Sequence, residues 1–256
     1  FVVDQVKAHK KLGFIHTFFS ELKLDVGFEE KYISKLASVA VVSNECGENF
    51  KNVFPHVAQK VKVIPNIVSS ELIENLSVKE AVSMEQNSII SIGRLITLKG
   101  FDLAVEAGKI LKQKKVSFHW YIIGEGAERE NLETLIEKHG LQNHFSLVGL
   151  KKNPYPYIKN ATVFVQPSRY EGKSIAVDEA KILQKPIVLT NFSTAKDQIT
   201  NCINGQIVEM NPEGIAEGII KYFDDQNFTD KIIANLQSEN YDTEKVIDQF
   251  YQIIND

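Results

Sequence analysis

The chain has 256 residues, of which 43% are hydrophobic and 24% are charged, so it can bury a core without disulfide or metal staples. Its 29 basic and 33 acidic side chains give a net charge of −4, which argues against duplex nucleic acid as a partner. Cys46 and Cys202 are too few for a disulfide scaffold or a cysteine zinc site. No apolar run approaches the roughly 18 residues of a membrane span.

Short apolar runs, mostly continuous rather than alternating, are typical of strands that are covered on both faces of a parallel sheet. Apolar residues between these runs recur at helical spacing, as in 101–111, 132–136, 176–183 and 246–254. Alternating strands and helices predict an α/β fold with a doubly wound, Rossmann-like parallel sheet. The predicted strands are 12–16, 39–43, 61–65, 88–93, 116–124, 145–149, 162–166, 186–190 and 205–209.

The polar stretch 69–87 has no strand signal and is predicted to connect two units. We expect residues 1–70 to form part of a first Rossmann-like unit, which is incomplete because it has only three strands. Residues 71–87 are the predicted linker, and 88–235 are the predicted complete doubly wound domain. Residues 236–256 are expected to form a helix that packs back on the first unit. The sequence starts without Met, so we expect a fragment of a longer protein.

Open α/β sheets bind ligands at the carboxyl ends of their strands, where four features of this sequence fall. The first is Gly93-Arg94-Leu95 followed by Lys99-Gly100, a strand-to-helix turn with two cations. The planar fork of an arginine and the point charge of a lysine both suit diphosphate oxygens. Two basic residues in a loop can equally be solvated, so this feature alone is a weak signal.

The second feature is the turn Gly124-Glu125-Gly126, directly after a predicted strand. Glycine allows a tight turn and a close approach of the backbone. Arg129 occupies the last glycine position of a G-x-G-x-x-G fingerprint, so a nicotinamide cofactor is poorly supported. A plain strand-to-helix turn would explain these glycines equally well.

The third feature is the segment from Glu171 to Glu179, which follows the strand at 162–166. Ser174 is a suitable N-cap, so a helix is predicted to begin there with its N–H groups and dipole directed at an anion. Gly172 would let a ligand approach, and the two carboxylates would hydrogen-bond hydroxyl groups beside a bound phosphate. The alternative is an exposed Glu171 and an ordinary helical Glu179.

The fourth feature is His16, which ends the strand at 12–16 and is predicted to face the site from the first unit. A lone histidine is more often structural.

The sequence has no D-x-D pair, P-loop, H-E-x-x-H motif or G-x-S-x-G elbow. These observations predict an α/β domain that binds a diphosphate and hydroxyl-rich groups without a metal.

Together and in this order, the motifs resemble the family-4 retaining glycosyltransferases of the GT-B fold. The loop around Arg94 and Lys99, the Gly124–Gly126 turn and the E-x7-E segment from Glu171 to Glu179 match motifs of that family. KVIPNIV (62–68) resembles its interdomain link, and FIHTFF resembles its amino-terminal strand with a histidine. The resemblance implies that residues 1–70 are the acceptor-side domain and that 88–235 bind the donor.

The resemblance also implies a role for each residue. Arg94 and Lys99 would bind the donor diphosphate, Glu179 the ribose, and Glu171 the sugar. Residues near the start of the helix would hold the distal phosphate, and Lys173 stands where the family often has an aromatic residue. The implied catalytic residues are Arg94, Lys99, Glu171 and His16. The implied nucleotide-sugar ligands are Gly93, Arg94, Lys99, Gly124, Gly126, Leu150, Glu171, Gly172, Lys173, Ser174, Ile175 and Glu179.

The implied activity is hexosyl transfer from a nucleotide-diphosphate sugar to a glycan or lipid-linked acceptor, with retention and without a metal or another cofactor. The implied setting is bacterial cell-surface polysaccharide synthesis, in the cytoplasm at the inner face of the membrane. Peripheral membrane contact would involve the missing amino-terminal part. Other hypotheses stay open: a GT-B-type sugar-nucleotide epimerase, a phosphorylase, or a non-catalytic nucleotide-binding or assembly module.

Overall fold

A computed structural model describes residues 2–241 and 243–255, and within these ranges each of the predicted strands is present. The strands are β1 Leu12–Ile15, β2 Ser38–Val41, β3 Val61–Val63, β4 Ser88–Ile92, β5 His119–Ile123, β6 Phe145–Gly149, β7 Val163–Gln166, β8 Ile187–Thr190 and β9 Gln206–Val208. The helices are α1 Val2–Gln5, α2 Val26–Ile33, α3 Asn44–Val53, α4 Ser70–Ser77, α5 Phe101–Gln113, α6 Arg129–Lys138, α7 Tyr155–Asn160, α8 Ile175–Ile182, α9 Ala195–Gln198, α10 Pro212–Asp224, α11 Gln226–Gln237 and α12 Thr243–Asn255. Segments of 3-10 helix occupy Phe19–Leu22, Pro55–Lys60 and Thr97–Lys99.

The chain divides into two compact units: unit 1 is Phe1–Ile67 with Asp242–Asp256, and unit 2 is Val68–Tyr241. Unit 1 contains a parallel sheet in the order β1-β2-β3. Its core includes a buried aromatic cluster in which the Phe19 ring lies 4.8 Å from that of Phe54. Within this unit α12 contacts β1, because the rings of Phe250 and Phe14 lie 5.9 Å apart.

Unit 2 is built on a six-stranded parallel sheet in the order β6-β5-β4-β7-β8-β9. Separate apolar clusters cover its two faces, so the predicted doubly wound α/β fold is confirmed. The chain runs outward in one direction from β4 and in the other from β7, so the strand order reverses between these two neighbouring strands. Open α/β sheets bind ligands at the carboxyl ends of the strands, at the point where the strand order reverses.

The predicted linker at 71–87 needs correction, because α4 occupies Ser70–Ser77 and belongs to unit 2. The Ser69 hydroxyl accepts the Leu72 N–H at 3.3 Å and caps the helix, and Ile73 is buried in the core of unit 2. With so few apolar positions in one short helix, the sequence pattern is dominated by its exposed polar residues. The predicted terminal segment also begins too early, because residues 236 and 237 still belong to α11.

Among the described helices, none has both the length and the apolar character needed to cross a membrane.

Replacing Ile73 by Ala should lower the free energy of unfolding of unit 2 by about 2–5 kcal/mol, because it leaves a cavity under α4. Leu72, its neighbour on the same helix, is 56% exposed, so Leu72→Ala should cost about 0.5 kcal/mol or less. Urea denaturation followed by the fluorescence of Trp120, the single tryptophan, measures both values within unit 2. Equal, small losses in the two variants would show that α4 is not part of the core.

Candidate functional site

The candidate site lies at the carboxyl ends of β4 and β7, the neighbouring strands between which the strand order reverses. Lys99 ends the 3-10 segment that follows β4, and Glu171 lies in the loop that follows β7. The Lys99 Nζ is 2.5 Å from the Glu171 Oε1. Between Lys99 and α5, Gly100 has a φ of +66°, and a Cβ there would lie 2.0 Å from the Pro167 carbonyl oxygen. Glycine is therefore required for the loop that carries the lysine to approach the loop that carries the glutamate.

The Glu171 carboxylate is largely buried, and three donors converge on one of its oxygens. Besides Lys99, its Oε1 accepts the Ser168 hydroxyl at 2.6 Å and the Gln166 amide at 3.0 Å. The Thr194 hydroxyl donates to the Glu171 backbone carbonyl at 2.9 Å. Within the described residues the second oxygen, Oε2, makes no hydrogen bond. The carboxylate is thus held through one of its two oxygens.

A second ion pair, Arg169–Asp102, links the loop that carries Glu171 to the first turn of α5, directly after the loop that carries Lys99. The Arg169 guanidinium binds both oxygens of Asp102 at 2.7 and 2.5 Å, and it also donates to the Thr97 carbonyl at 2.9 Å. Burial raises the pKa of Asp102, but the hydrogen bond and charge of Arg169 outweigh this effect and lower the pKa below its usual value. No sequence motif pointed to this pair, although Arg169 lies only two residues before Glu171.

Arg94 is exposed at the tip of the loop after β4, and within the described residues its guanidinium makes no ion pair. Gly93 lies beside the lysine, because a Cβ added there would be 3.4 Å from the Lys99 Cδ. The backbone N–H of Leu95 donates to the Glu125 carbonyl at 2.9 Å and holds the loop against its neighbour. The structure therefore brings Lys99 to Glu171 and leaves Arg94 in solvent.

The two glycines after β5 allow that loop to pack against the loop after β4. Gly124 has a φ of +151°, and a Cβ there would lie 1.8 Å from the Gly93 carbonyl oxygen. A Cβ on Gly126 would lie 2.3 Å from the Leu95 carbonyl oxygen. Both positions therefore require glycine for contact between the loops, independently of any ligand.

Arg129, the residue that breaks the dinucleotide fingerprint, has a structural role. It donates to Glu125 at 2.7 Å and to the Leu147 carbonyl at 3.2 Å, which links the loop after β5 to β6.

Leu150, the predicted neighbour of the base, follows β6 and is 76% exposed. Its side chain is accessible to a ligand at the carboxyl end of β6.

Helix α8 begins after Ser174 as predicted, but the serine does not act as expected. Its hydroxyl makes no capping hydrogen bond, and its backbone N–H donates to the Gln198 Oε1 at 3.0 Å. The Gln198 amide in turn donates to the Ser174 carbonyl at 3.1 Å. The predicted use of the Ser174 N–H for a phosphate is therefore corrected, because that donor is occupied. The N–H groups of Ile175 and Ala176, in the first turn, have no acceptor within the helix.

Lys173, one of the implied nucleotide-sugar ligands, pairs with a carboxylate of this chain. Its Nζ lies 3.6 Å from the Asp178 Oδ2, and both side chains are largely buried. Burial raises the pKa of Asp178, while the charges of Lys173 and Lys181 oppose the increase. Gly172, just before Lys173, is buried in the loop.

Glu179 is half-buried on α8 and accepts a hydrogen bond from the Tyr155 hydroxyl at 3.1 Å. Burial raises the pKa of Glu179 to about 7; the Tyr155 hydrogen bond opposes this increase and the charge of Asp178 adds to it. Burial and the charge of Glu179 raise the pKa of Tyr155 to about 12. Near neutral pH the Glu179 carboxyl can therefore either donate to or accept from a hydroxyl group. No sequence pattern pointed to Tyr155.

His16 lies in unit 1, one residue beyond β1, where its exposed ring stacks on Phe14 with 5.6 Å between the centroids. The two rings line a mostly apolar cavity of about 220 Å³ within unit 1, together with residues that include Ile64 and Phe250. The role of His16 toward a donor sugar stays a prediction.

The family model described as "Glycosyl transferases group 1" matches residues 73–239, which is more than half of the chain. This chain belongs to that family, and its fold is that of the GT-B glycosyltransferases. The resemblance found in the sequence is thereby confirmed at the level of glycosyltransferase group 1.

Two curated relatives and one solved structure show the extent of the similarity. An uncharacterized glycosyltransferase of Methanocaldococcus jannaschii is 31% identical over 179 residues, 66% of this chain and 43% of the relative. The poly(ribitol-phosphate) alpha-N-acetylglucosaminyltransferase of Staphylococcus aureus is 25% identical over 97% of this chain and 51% of its own. The chain thus spans about half the length of these relatives. HepE of Anabaena, solved with UDP and glucose, superposes with a TM-score of 0.83 at 18% identity, over 96% of this chain and 71% of HepE.

Glu179→Gln should flatten the pH dependence of stability. The pKa of Glu179 rises from its ordinary 4.5 to about 7 on folding, so the folded state binds the proton more tightly than the unfolded state does. Between about pH 5 and pH 7 the free energy of unfolding should therefore fall as the pH rises, and glutamine removes this contribution. Thermal unfolding at several pH values measures the slope, and exposed Glu217 supplies the control Glu217→Gln. The assignment fails if the Glu179→Gln slope equals that of the unmodified chain.

Proposed function

We propose that this chain supplies the donor-binding part of a family-4 type enzyme, which transfers a sugar from a nucleotide-diphosphate sugar to an acceptor without a metal and with retention. The observation that carries the proposal is the partly buried Lys99–Glu171 pair, which joins the loops after β4 and β7 just before the first turn of α8. Membership of glycosyltransferase group 1 and the fold shared with HepE, which binds UDP, support it.

The diphosphate would be bound by positive groups from two different loops. Lys99 supplies a point charge that is already oriented by Glu171, and Arg94 supplies an exposed guanidinium that is free to turn toward a ligand. The N–H groups of Ile175 and Ala176 add the positive end of a helix dipole. As the glycosidic bond breaks, negative charge grows on the leaving diphosphate, where these donors would stabilise it in place of a metal ion.

The hydroxyl groups of the donor would be bound by carboxylates. Glu171 offers its unused Oε2 to the transferred sugar, and Glu179 offers a carboxyl to the ribose. Leu150 would contact the base, and His16 would approach the sugar. Retention would follow if the acceptor attacked from the face of the departing diphosphate.

The acceptor would be a cell-surface glycan or a lipid-linked precursor of one. The Staphylococcus aureus relative, whose name gives poly(ribitol-phosphate) as the acceptor, supports a polymeric substrate. We propose that the reaction takes place in the cytoplasm at the inner face of the membrane, with peripheral contact made outside the residues of this chain.

Lys99→Ala should weaken the binding of a nucleoside diphosphate by this chain and, in the full-length protein, lower kcat/KM by about 100-fold or more, because it removes a donor to the leaving group. Lys109, on the exposed side of α5, supplies the control Lys109→Ala, which should change neither quantity. Calorimetric titration with UDP and GDP measures binding, and sugar transfer measures turnover. A folded chain that takes up neither nucleotide at millimolar concentration would contradict the site.

Product analysis with the full-length protein separates the other hypotheses. A transferase releases nucleoside diphosphate and glycosylates the acceptor. An epimerase returns an altered sugar nucleotide, and a phosphorylase consumes inorganic phosphate and releases a sugar phosphate. Nucleotide binding with no turnover of any donor would favour the non-catalytic module.

A further inference from the structure

Two buried polar side chains, Gln166 and Ser168, lie beneath the candidate site and have no part in the proposed function. Gln166 is the last residue of β7, and both side chains are fully inaccessible to solvent. The Gln166 amide donates to the Ser168 hydroxyl at 2.8 Å and to the Glu171 Oε1 at 3.0 Å. The Ser168 hydroxyl donates to the same Oε1 at 2.6 Å. Both side chains are thus directed at one carboxylate oxygen.

Apart from its hydrogen bonds to Ser168 and Glu171, the Gln166 amide lies in surroundings that suit an apolar side chain better. Its own Oε1 is buried and, among the described residues, accepts no hydrogen bond. The preceding residues of β7, Phe164 and Val165, are fully buried and apolar. A buried acceptor without a donor is unfavourable, so an apolar side chain at position 166 would suit the core better. What the amide supplies is a donor to Glu171.

The backbone around this network is also fixed. The Thr190 hydroxyl, at the end of β8, donates to the Ser168 carbonyl at 2.5 Å, and the Thr194 hydroxyl donates to the Glu171 carbonyl at 2.9 Å. The orientation of the carboxylate is therefore set by packed, fully buried groups rather than by solvent. Hydrogen bonds to an ionised group are the strong ones, and their strength grows in a site from which water is excluded.

We propose that Gln166 and Ser168 are positioning residues: by holding Oε1 of Glu171 they present Oε2 to a hydroxyl group of the donor sugar. The inference rests on the proposed function, in which Glu171 contacts that sugar. Under this proposal the site contains two groups of residues with different roles. Lys99 and Arg94 would bind the diphosphate, whereas Gln166 and Ser168 would act on the sugar through Glu171.

Gln166→Met tests this inference, since it keeps an unbranched side chain of similar length and removes the amide. The matched control is Gln206→Met in β9, another buried glutamine, whose amide donates to the Gly218 carbonyl at 2.9 Å, away from Glu171. In the full-length protein, Gln166→Met should lower kcat/KM for the nucleotide sugar by 10-fold or more. Its Kd for whichever of UDP and GDP the unmodified protein binds should change by less than about twofold.

The stability of the variants gives a second measurement. The Tm of Gln166→Met should fall by only a few degrees, because the loss of the hydrogen bond to Glu171 is partly offset by removal of an unsatisfied buried acceptor. Ser168→Ala, a small change that removes the shorter hydrogen bond, should show the same loss of turnover with unchanged nucleotide affinity. The control Gln206→Met should keep both functional values.

Three results would overturn the inference: unchanged kcat/KM in Gln166→Met and Ser168→Ala, an equal loss in Gln206→Met, or parallel losses of turnover and nucleotide affinity. Failure of the proposed function has a different signature, because Lys99→Ala and Glu171→Gln would then also leave activity unchanged. In that case crystal structures of the unmodified and Gln166→Met chains decide the positioning role. A Glu171 carboxylate that stays in place without the Gln166 amide would refute it.

Discussion

The structure of the candidate site depends on a single buried contact, the ion pair between Lys99 and Glu171. The two residues are separated by 72 positions in the sequence, and their side-chain atoms meet at 2.5 Å. Removing two charges from water is costly, and their attraction offsets the cost only if further hydrogen bonds satisfy the groups. The donors Ser168 and Gln166 meet this requirement for the carboxylate.

This contact needs two loops to approach more closely than side chains would normally allow. Gly124, in the loop after β5, meets the Gly93 carbonyl of the loop after β4, and between the loops that carry Lys99 and Glu171 it is Gly100 that meets the Pro167 carbonyl, in both cases where a Cβ would collide with backbone. Arg169 and Asp102 then fasten the same loops with a bidentate ion pair. Several motif residues therefore serve the geometry of the site before any ligand is considered, which explains why glycines recur at these strand ends.

Helix α8 presents backbone groups at its start and the carboxyl of Glu179 further along, and the two differ in whether they can change charge. At its start, Gln198 occupies both backbone groups of Ser174 and fixes the approach of the chain into the helix. One turn later, burial raises the pKa of Glu179 to about 7, so its carboxyl changes charge near neutral pH. In the proposed enzyme, the diphosphate end of the donor would therefore meet fixed positive groups, and the ribose would meet a group that can exchange a proton.

Local patterns in the sequence were sufficient for the nine strands and the doubly wound fold, because continuous apolar runs and helical spacing depend only on neighbouring residues. They also located the start of α8 at Ser174, although the serine hydroxyl does not cap the helix. They also selected Lys99 and Glu171, since both follow predicted strands. Only the tertiary structure showed that these two side chains touch, that Arg94 stays in solvent and that the Ser174 N–H is occupied. Gln166, Tyr155 and α4 were missed for the same physical reason: their roles arise from burial against residues distant in sequence, which no local spacing encodes.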